Sequence, residues 1–317
     1  METSRLFLSL IIPVYNSSKY LERCLNSLLC QNESGFEVVM VLDPSKDDSR
    51  NIILSFVNRY PFIHLIENKN RLGVQASRIE GVKNSSGAYF SFMDADDLIA
   101  PNAIRIIKST LDESKADALN FSFYVLNKKG HPFPYPFGTK RNRLVKTKKA
   151  ISMFFNDTSV RGFVWTKIFS RTLLSGDTIT LLDTKDLFEE IGYVFSLLSR
   201  AKTFYVSSSG YYFYDKGNTG SLTSIPRKDR ALGHLNAFAA MRMFIEKEND
   251  KELKKVFIRK RYRFYLSLLL DIFLDYKNGA RHQKKTIMKG LKMVVSKKAF
   301  HPEGTVFESL SKRAISS

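Results

Sequence analysis

The sequence predicts an α/β fold, with a mostly parallel sheet flanked by helices and a basic helical extension at the C-terminal end. Two observations carry this prediction. Over the first hundred residues, apolar strand-like runs alternate with segments of helical periodicity, which is typical of βαβ units and a parallel sheet. Beyond residue 225 the pattern becomes helical, and 22 basic against 9 acidic residues give that region +13 of the net charge of +19.

Each element of the first part has its own local signal. Leu6–Val14 is a nearly continuous apolar run, as expected of a strand buried on both faces. Ser17–Cys30 carries apolar residues at helical spacing behind a serine that is suited to cap a helix. The same alternation continues through the next ninety residues. The predicted strands are Leu6–Val14, Phe36–Leu42, Ile63–Glu67, Ala88–Met93 and Ala118–Val125. The predicted helices are Ser17–Cys30, Asp48–Tyr60, Gly73–Asn84 and Ile104–Ser114.

The later part of the chain is divided by two changes in composition. The Pro- and Gly-rich segment His131–Gly138 predicts a long surface loop and not a linker, because apolar structure resumes soon after it. A boundary is predicted near Pro226, which separates a sheet domain (1–225) from a basic helical region (226–317). The helices predicted in that second region are Asp229–Lys247, Leu253–Tyr276 and Gln283–Ser296.

Composition excludes several classes of protein. With 317 residues, 44% hydrophobic residues and 25 Phe, the chain is expected to form a packed core and not a disordered, collagen-like or disulfide-stapled protein. Cys24 and Cys30 lie six residues apart on one predicted helix and face different directions, so we expect free thiols in a reducing compartment. No secretory signal is predicted, and Phe264–Leu274 is too short to span a bilayer. These patterns favour a cytoplasmic protein, either soluble or peripheral to a membrane.

Acidic residues follow the fourth predicted strand directly. Asp94, Asp96 and Asp97 occupy three of four consecutive positions, and ligands of parallel sheets bind beyond the carboxyl ends of the strands. Clustered carboxylates repel each other, and Mg²⁺ or Mn²⁺ relieves that repulsion by binding one or two of them together with substrate phosphates. The sequence therefore predicts a divalent metal site here. An acidic turn that only caps the following helix is the alternative.

Four motifs occur in order over about 95 residues. They are the segment LSLIIPVYN, a second strand that ends in Asp-x-Ser, the segment NRLGVQASRIEGVKN, and the segment GAYFSFMDADD. Together they resemble the inverting family-two glycosyltransferases with a GT-A, Rossmann-like fold. Later segments are also similar to that family: VWTKIF at 164–169, the Glu-Glu pair at 189–190, Tyr-Phe-Tyr at 212–214 and GSLT at 220–223. The resemblance covers residues 7–225 and leaves the basic helices unassigned.

The resemblance implies a role for residues at the first two strand ends. Pro13, Tyr15 and Asn16 would border the base and ribose of a nucleotide-sugar donor. Asp43 would accept a hydrogen bond from a uracil ring. Leu42 stands where many relatives carry a further Asp and Pro44 replaces a Gly, so the turn around Asp43 is expected to have a different shape.

Further roles follow for the diphosphate and the metal. Arg78 would approach the donor diphosphate, although a solvated helix residue would give the same pattern. Asp94 and Asp96 would form the DxD pair that binds Mn²⁺ or Mg²⁺, with Asp96 as the direct ligand and Asp94 nearer the ribose.

The resemblance also implies a catalytic base, which would take the proton from the attacking hydroxyl. The Glu-Asp pair of the family is replaced by Glu189 and Glu190. We predict that Glu190 is the base, with Glu189 and Asp186 as reserves. Ordinary acidic residues in the first turn of a helix are the alternative, since the helix dipole favours them there.

The sequence thus predicts a metal-dependent inverting glycosyltransferase that moves a sugar, from a UDP-sugar, to a hydroxyl group of a cell-surface glycan, a teichoic-acid-type polymer or a lipid-linked acceptor. The basic region 226–317 favours contact with an anionic membrane surface, and packing into a homodimer is its alternative. A catalytically degenerate carbohydrate-binding relative is the runner-up. Nucleic acid is not an expected partner, because charge alone supports it.

Overall fold

The computed structural model describes residues 6–127, 129–136, 138–156, 160, 162–174, 189–216 and 230–277. Within these residues the strands form one ten-stranded sheet. The strands are β1 (Leu8–Val14), β2 (Phe36–Leu42), β3 (Ile63–Glu67), β4 (Tyr89–Phe92), β5 (Leu98–Ile99), β6 (Ala118–Leu126), β7 (Pro132–Pro134), β8 (Arg143–Lys146), β9 (Lys167–Ser170) and β10 (Thr203–Asp215). The helices are α1 (Ser18–Leu29), α2 (Ser49–Val57), α3 (Val74–Lys83), α4 (Ala103–Ser114), α5 (Thr147–Asn156), α6 (Glu189–Arg200), α7 (Arg230–Glu248) and α8 (Lys251–Lys277).

The first half of the sheet is parallel, as the strand–helix alternation predicts. Its order is β3-β2-β1-β4, and the pairs β1–β2, β1–β4 and β2–β3 all run parallel. All seven residues of β2 are buried, which explains its unbroken apolar sequence. The chain crosses from β3 to β4 on the far side of β1, so this half has the strand order of a Rossmann-like fold.

The second half of the sheet is mixed. Strand β9 runs antiparallel to both β4 and β6, and β10 runs parallel to β6. Strands β1, β2, β4, β6 and β10 therefore all point the same way, and their carboxyl ends meet at one edge. The segment His131–Gly138, predicted as a surface loop, contains the short exposed strand β7 on β6.

The basic C-terminal helices pack onto the core of the sheet domain. Phe257 on α8 lies 5.7 Å from Phe155 on α5 and 6.1 Å from Phe195 on α6, between ring centroids. Asp275 on α8 caps α7 by accepting the Ala231 N–H at 2.8 Å. The boundary predicted near Pro226 and the helix predicted at Gln283–Ser296 lie outside the described residues.

Glu37 stabilises the edge of the sheet opposite the one where the carboxyl ends of the parallel strands meet. Its carboxylate is buried and accepts hydrogen bonds from Ser9 Oγ at 2.7 Å, Ser86 N at 2.6 Å and Gly87 N at 3.2 Å. Burial raises the pKa of Glu37, but these hydrogen bonds outweigh it and hold the pKa below the usual 4.5. The charged form is therefore the one that stabilises the fold.

The Glu37→Gln substitution is expected to lower the free energy of unfolding by about 1–3 kcal/mol at pH 7, because buried donors lose a charged acceptor. Since the folded-state pKa is depressed, the contribution of Glu37 is complete above pH 4.5 and is lost as the pH falls through the folded-state pKa. Urea unfolding at pH 7 and pH 4 should show the difference between the two proteins shrinking at acid pH. The exposed Glu113 on α4 provides the control, Glu113→Gln. An equal loss at both pH values would contradict this role.

Candidate active site

The turn after β1 is tied to the turn after β2. Asn16 adopts a left-handed conformation with φ of 47°, which asparagine tolerates better than most residues. Its side-chain oxygen accepts the Lys46 N–H at 2.8 Å, and its own N–H donates to Ser45 Oγ at 3.0 Å. The half-buried Tyr15 ring lies beneath the Arg71 guanidinium, 3.9 Å from the ring centroid. The turn that carries Tyr15 and Asn16 is therefore held against the turn after β2.

Asp43 is buried at the end of β2 and organises the start of α3. Its Oδ2 accepts the Gly73 N–H at 2.8 Å, while Oδ1 accepts from Asn68 Nδ2 at 2.8 Å and from Ser77 Oγ at 3.2 Å. Asp43 therefore holds the loop between β3 and α3, and contact with a nucleotide base remains a prediction for it.

The acidic turn after β4 presents its carboxylates in different directions. Asp97 is fully buried, accepts the Tyr212 hydroxyl at 2.6 Å and accepts the Asp215 N–H at 2.8 Å. Burial raises the pKa of Asp97, and the nearby Asp94 and Asp96 carboxylates raise it further. The Asp94 side chain is 30% exposed, and Asp96 is half-buried. Asp97 thus belongs to the protein interior, and the partly exposed carboxylates of the acidic turn are those of Asp94 and Asp96.

Arg78 lies between two carboxylates that are far apart in the sequence. It is 3% exposed, so the alternative of a solvated helix residue is wrong. One guanidinium nitrogen lies 2.9 Å from Asp94 Oδ1, and the other lies 3.9 Å from Glu190 Oε2. Since α6 begins at Glu189, Glu190 is a first-turn residue that also faces the acidic turn. The structure therefore brings Glu190, Arg78 and Asp94 together.

The other two candidates for the base are placed less completely. Glu189 is the first residue of α6, but its side chain lies outside the described part of the chain. Asp186 lies outside the described residues altogether. Their roles remain predictions.

Sequence reasoning missed a latch between α1 and the acidic turn. The Arg23 guanidinium donates to the main-chain oxygen of Asp96 at 2.5 Å and forms an ion pair with Asp215 Oδ2 at 2.5 Å. Tyr212 reinforces the latch, because its hydroxyl also accepts the Asp94 N–H at 3.1 Å. The Tyr-Phe-Tyr motif pointed to Tyr212. Arg23 carried no signal, since nothing in a helical pattern marks a contact 73 residues away.

Trp165 lies in the core behind the site. It is 5% exposed, and its ring stacks on Tyr212 at 4.6 Å, on Phe163 at 5.0 Å and on Tyr214 at 5.5 Å. This burial and stacking identify Trp165 as a core residue. The stack supports the strand that carries Tyr212.

The two partly exposed carboxylates of the acidic turn suit a metal ion that is also bound by a substrate. Among the described residues, no three His, Cys, Asp or Glu side chains are grouped closely enough to hold an ion by themselves. Mg²⁺ and Mn²⁺ characteristically take one or two carboxylates and complete their shell with phosphate oxygens and water. Asp94 and Asp96 fit that requirement, because they are the two carboxylates of the turn that are not buried.

A comparison with protein families decides the identity. Residues 9–168, which run from within β1 to within β9 and contain all but the first residue of the four predicted motifs, match the model of glycosyl transferase family 2. The chain belongs to glycosyl transferase family 2. This match favours the glycosyltransferase class over the class of nucleic-acid-binding proteins.

Curated relatives of this family 2 glycosyltransferase carry the same description. It is 25% identical over 228 residues to the uncharacterized glycosyltransferase EpsJ of Bacillus subtilis, which covers 72% of this chain and 66% of EpsJ. It is 26% identical over 266 residues to the cholesterol galactosyltransferase of Borreliella burgdorferi, which covers 80% of this chain and 73% of that protein.

Solved structures confirm the predicted GT-A fold. S. aureus TarS in complex with UDP-GlcNAc aligns with a TM-score of 0.59 at 19% identity, covering 91% of this chain and 90% of that one. The mannosyltransferase PcManGT from Pyrobaculum calidifontis, in complex with GDP-Man and Mn²⁺, aligns with a TM-score of 0.51 at 14% identity, covering 99% and 87%. At these identities the likeness establishes the fold alone.

Proposed function

We propose that this protein is a metal-dependent inverting glycosyltransferase. It transfers a sugar from a nucleoside diphosphate donor, a UDP-sugar, to a hydroxyl group of a cell-surface glycan, a teichoic-acid-type polymer or a lipid-linked acceptor. The observation that carries the proposal is the convergence of Asp94 and Glu190 on buried Arg78, whose neighbour Ser77 donates to Asp43, at the carboxyl edge of the sheet.

The donor half of the site follows from the two tied turns. Pro13, Tyr15 and Asn16 would border the base and ribose, and Asp43 would accept the ring N–H of uracil. Within the described part of the chain, Asp43 Oδ2 receives one hydrogen bond, from Gly73, and a carboxylate oxygen accepts two. The loop that Asp43 organises would therefore be fixed before the donor arrives.

Asp94 and Asp96 would hold a Mn²⁺ or Mg²⁺ ion against the donor diphosphate. Bound there, the ion supplies positive charge that stabilises the leaving diphosphate. Arg78 adds a fixed positive charge, and its ion pair with Asp94 keeps that carboxylate oriented. The Arg23 latch holds the main chain of the acidic turn, so Asp96 is presented on a fixed backbone.

Glu190 would act as the general base. In an inverting transfer, the acceptor hydroxyl attacks the anomeric carbon on the face opposite the leaving group and loses its proton to a carboxylate. Glu190 is the second residue of α6, and the next turn of that helix is buried, with Tyr193 and Val194 at 0% exposure, so the core holds its backbone in place. Its 19% exposed side chain is accessible to an acceptor.

The names of similar proteins point to nucleoside diphosphate sugars as donors. TarS is named with UDP-GlcNAc and PcManGT with GDP-Man and Mn²⁺, and one relative is named a cholesterol galactosyltransferase. The free thiols of Cys24 and Cys30 are consistent with a cytoplasmic site of action.

A degenerate carbohydrate-binding relative is the second candidate. The departures at Leu42 and Pro44 favour it, whereas the hydrogen-bonded Asp43 and the Asp94–Arg78–Glu190 arrangement favour an enzyme. Turnover of a UDP-sugar separates the two candidates.

Calorimetric titration of UDP into the protein tests the proposed donor site. We expect micromolar binding with Mn²⁺ present and a loss of at least tenfold in affinity with EDTA, because the ion bridges diphosphate and carboxylates. GDP, titrated under the same conditions, serves as the matched control for base selection. If neither UDP nor GDP binds with metal present, the proposal is contradicted. If UDP binds equally well with Mn²⁺ and with EDTA, the metal is removed from the proposal.

A further inference from the structure

An exposed apolar face lies on the C-terminal half of α8. Five of the nine large apolar side chains that are exposed among the described residues belong to this helix. Four of them define the α8 apolar face: Leu266 is 57% exposed, Leu269 39%, Leu270 59% and Phe273 63%. Their spacing of three, four and seven residues places them on one side of the helix.

The opposite side of α8 already supplies the packing that the fold needs. Leu253, Phe257 and Leu268 are at most 6% exposed, and the Phe257 ring lies 5.0 Å from Phe238 on α7. The α8 apolar face is therefore a second apolar surface on a helix whose first one is satisfied. An uninterrupted surface of this kind marks a contact with something outside the described fold.

The charges around this face are all of one sign. Between Arg259 and Lys277 the sequence contains two acidic residues, Asp271 and Asp275. They are 3% and 1% exposed and turn towards α7, where Asp271 contacts His234. Arg259 and Lys277 are exposed at the two ends of the face. Among the described residues of this half of α8, no acidic side chain is exposed beside the apolar face.

We propose that the α8 apolar face docks onto an anionic lipid bilayer, with α8 lying in the plane of the interface. A bilayer offers hydrocarbon to the apolar side chains and anionic headgroups to the flanking cations at the same time. Within the described residues, no helix is both long enough and apolar enough to cross a membrane. The inference goes beyond the proposed reaction and is independent of it, because it rests on α8 alone.

Charge disfavours the other occupants of this face. In a dimer with two antiparallel copies of α8 packed across a two-fold axis, Arg259 of each helix would lie near Lys277 of the other. The segment 278–317 carries 9 basic and 2 acidic residues, so it too would place like charges against the flanks. An anionic surface is complementary to both the face and that segment.

Vesicle flotation tests the proposal on the full-length protein. Binding is compared on two kinds of vesicle. One is made of phosphatidylcholine alone, and the other also contains about 30% phosphatidylglycerol, an anionic lipid that attracts basic segments. The test variant is L266Q/L270Q/F273Q, which alters exposed side chains and should leave the fold intact. The matched control is F133Q/L144Q, since Phe133 and Leu144 are 44% and 53% exposed elsewhere on the surface.

We expect the wild type and the control to float with the anionic vesicles. The test variant should bind these vesicles at least about tenfold more weakly than the wild type. All three should bind UDP equally, so failure of docking is distinguished from failure of the proposed activity. Equal flotation of test variant and control would overturn the proposal. Two further results would also overturn it: a wild-type dimer that the triple substitution dissociates, or vesicle binding that appears only after truncation at Lys277.

Discussion

Replacement of Asp96 by alanine is expected to lower the rate of glycosyl transfer about a thousandfold, equivalent to about 4 kcal/mol of transition-state stabilisation. The reason is that Asp96 is the proposed direct metal ligand, and the positive charge of a metal ion beside the leaving diphosphate supplies several kcal/mol to such a reaction. The fold should survive, because Arg23 binds the main-chain oxygen of Asp96, which alanine keeps.

Two measurements separate a lost metal ligand from a damaged turn. UDP titration should show that Mn²⁺ no longer improves the affinity of the Asp96→Ala variant, while its thermal midpoint remains within a few degrees of the wild type. Asp112→Ala, which removes a 68% exposed carboxylate from α4, is the control and should change neither value. Unchanged turnover of Asp96→Ala would refute the DxD assignment.

The Glu190→Gln substitution is expected to lower kcat about a thousandfold, within the range of loss of a general base. Glutamine keeps the size of the side chain and its contact with the Val164 N–H, which lies 3.5 Å from Glu190 Oε2. The KM for the donor should change only a few-fold, since Arg78 retains its stronger partner, Asp94. Residual activity should also lose the acidic limb of the pH–rate profile.

The adjacent acid supplies the control for this experiment. Glu189→Gln removes a carboxylate one position earlier in α6 and should leave kcat within a few-fold of the wild type. Asp186→Asn tests the remaining reserve in the same assay. A kcat loss of a thousandfold in either of these variants, with near-normal Glu190→Gln, would move the base to that residue.

Local patterns were sufficient for the parallel half of the fold. Burial on both faces gives β2 its unbroken apolar sequence, and the amphipathic α1 and α4 show the helical period. The ends of these elements agree with the predicted ones to within a few residues, because each is decided by neighbours in the sequence. The acidic turn after β4 could be located for the same reason.

The mixed half of the sheet was harder to predict. Strand β9 is only four residues long and β5 only two, so neither shows a period of its own. Their positions depend on pairing with strands distant in the sequence, as when β5 pairs antiparallel with β10. The Pro-rich segment that forms β7 likewise becomes a strand because β6 offers it a partner.

The sequence by itself determined which residues are proposed to carry the chemistry. Asp43, Asp94 and Asp96 stand at strand ends that any parallel arrangement would bring to one edge. It also concentrated the charge beyond residue 225. These properties are local, since they depend on residue type and on spacing along a single strand or helix.

Only the tertiary structure decided how those residues meet. It turned Asp97 into the core against Tyr212, set Arg78 between Asp94 and Glu190, and joined Arg23 to Asp215. It also showed which side of α8 stays exposed. Such contacts join residues up to about 190 positions apart, so they follow from strand order and helix packing, which a one-dimensional pattern does not contain.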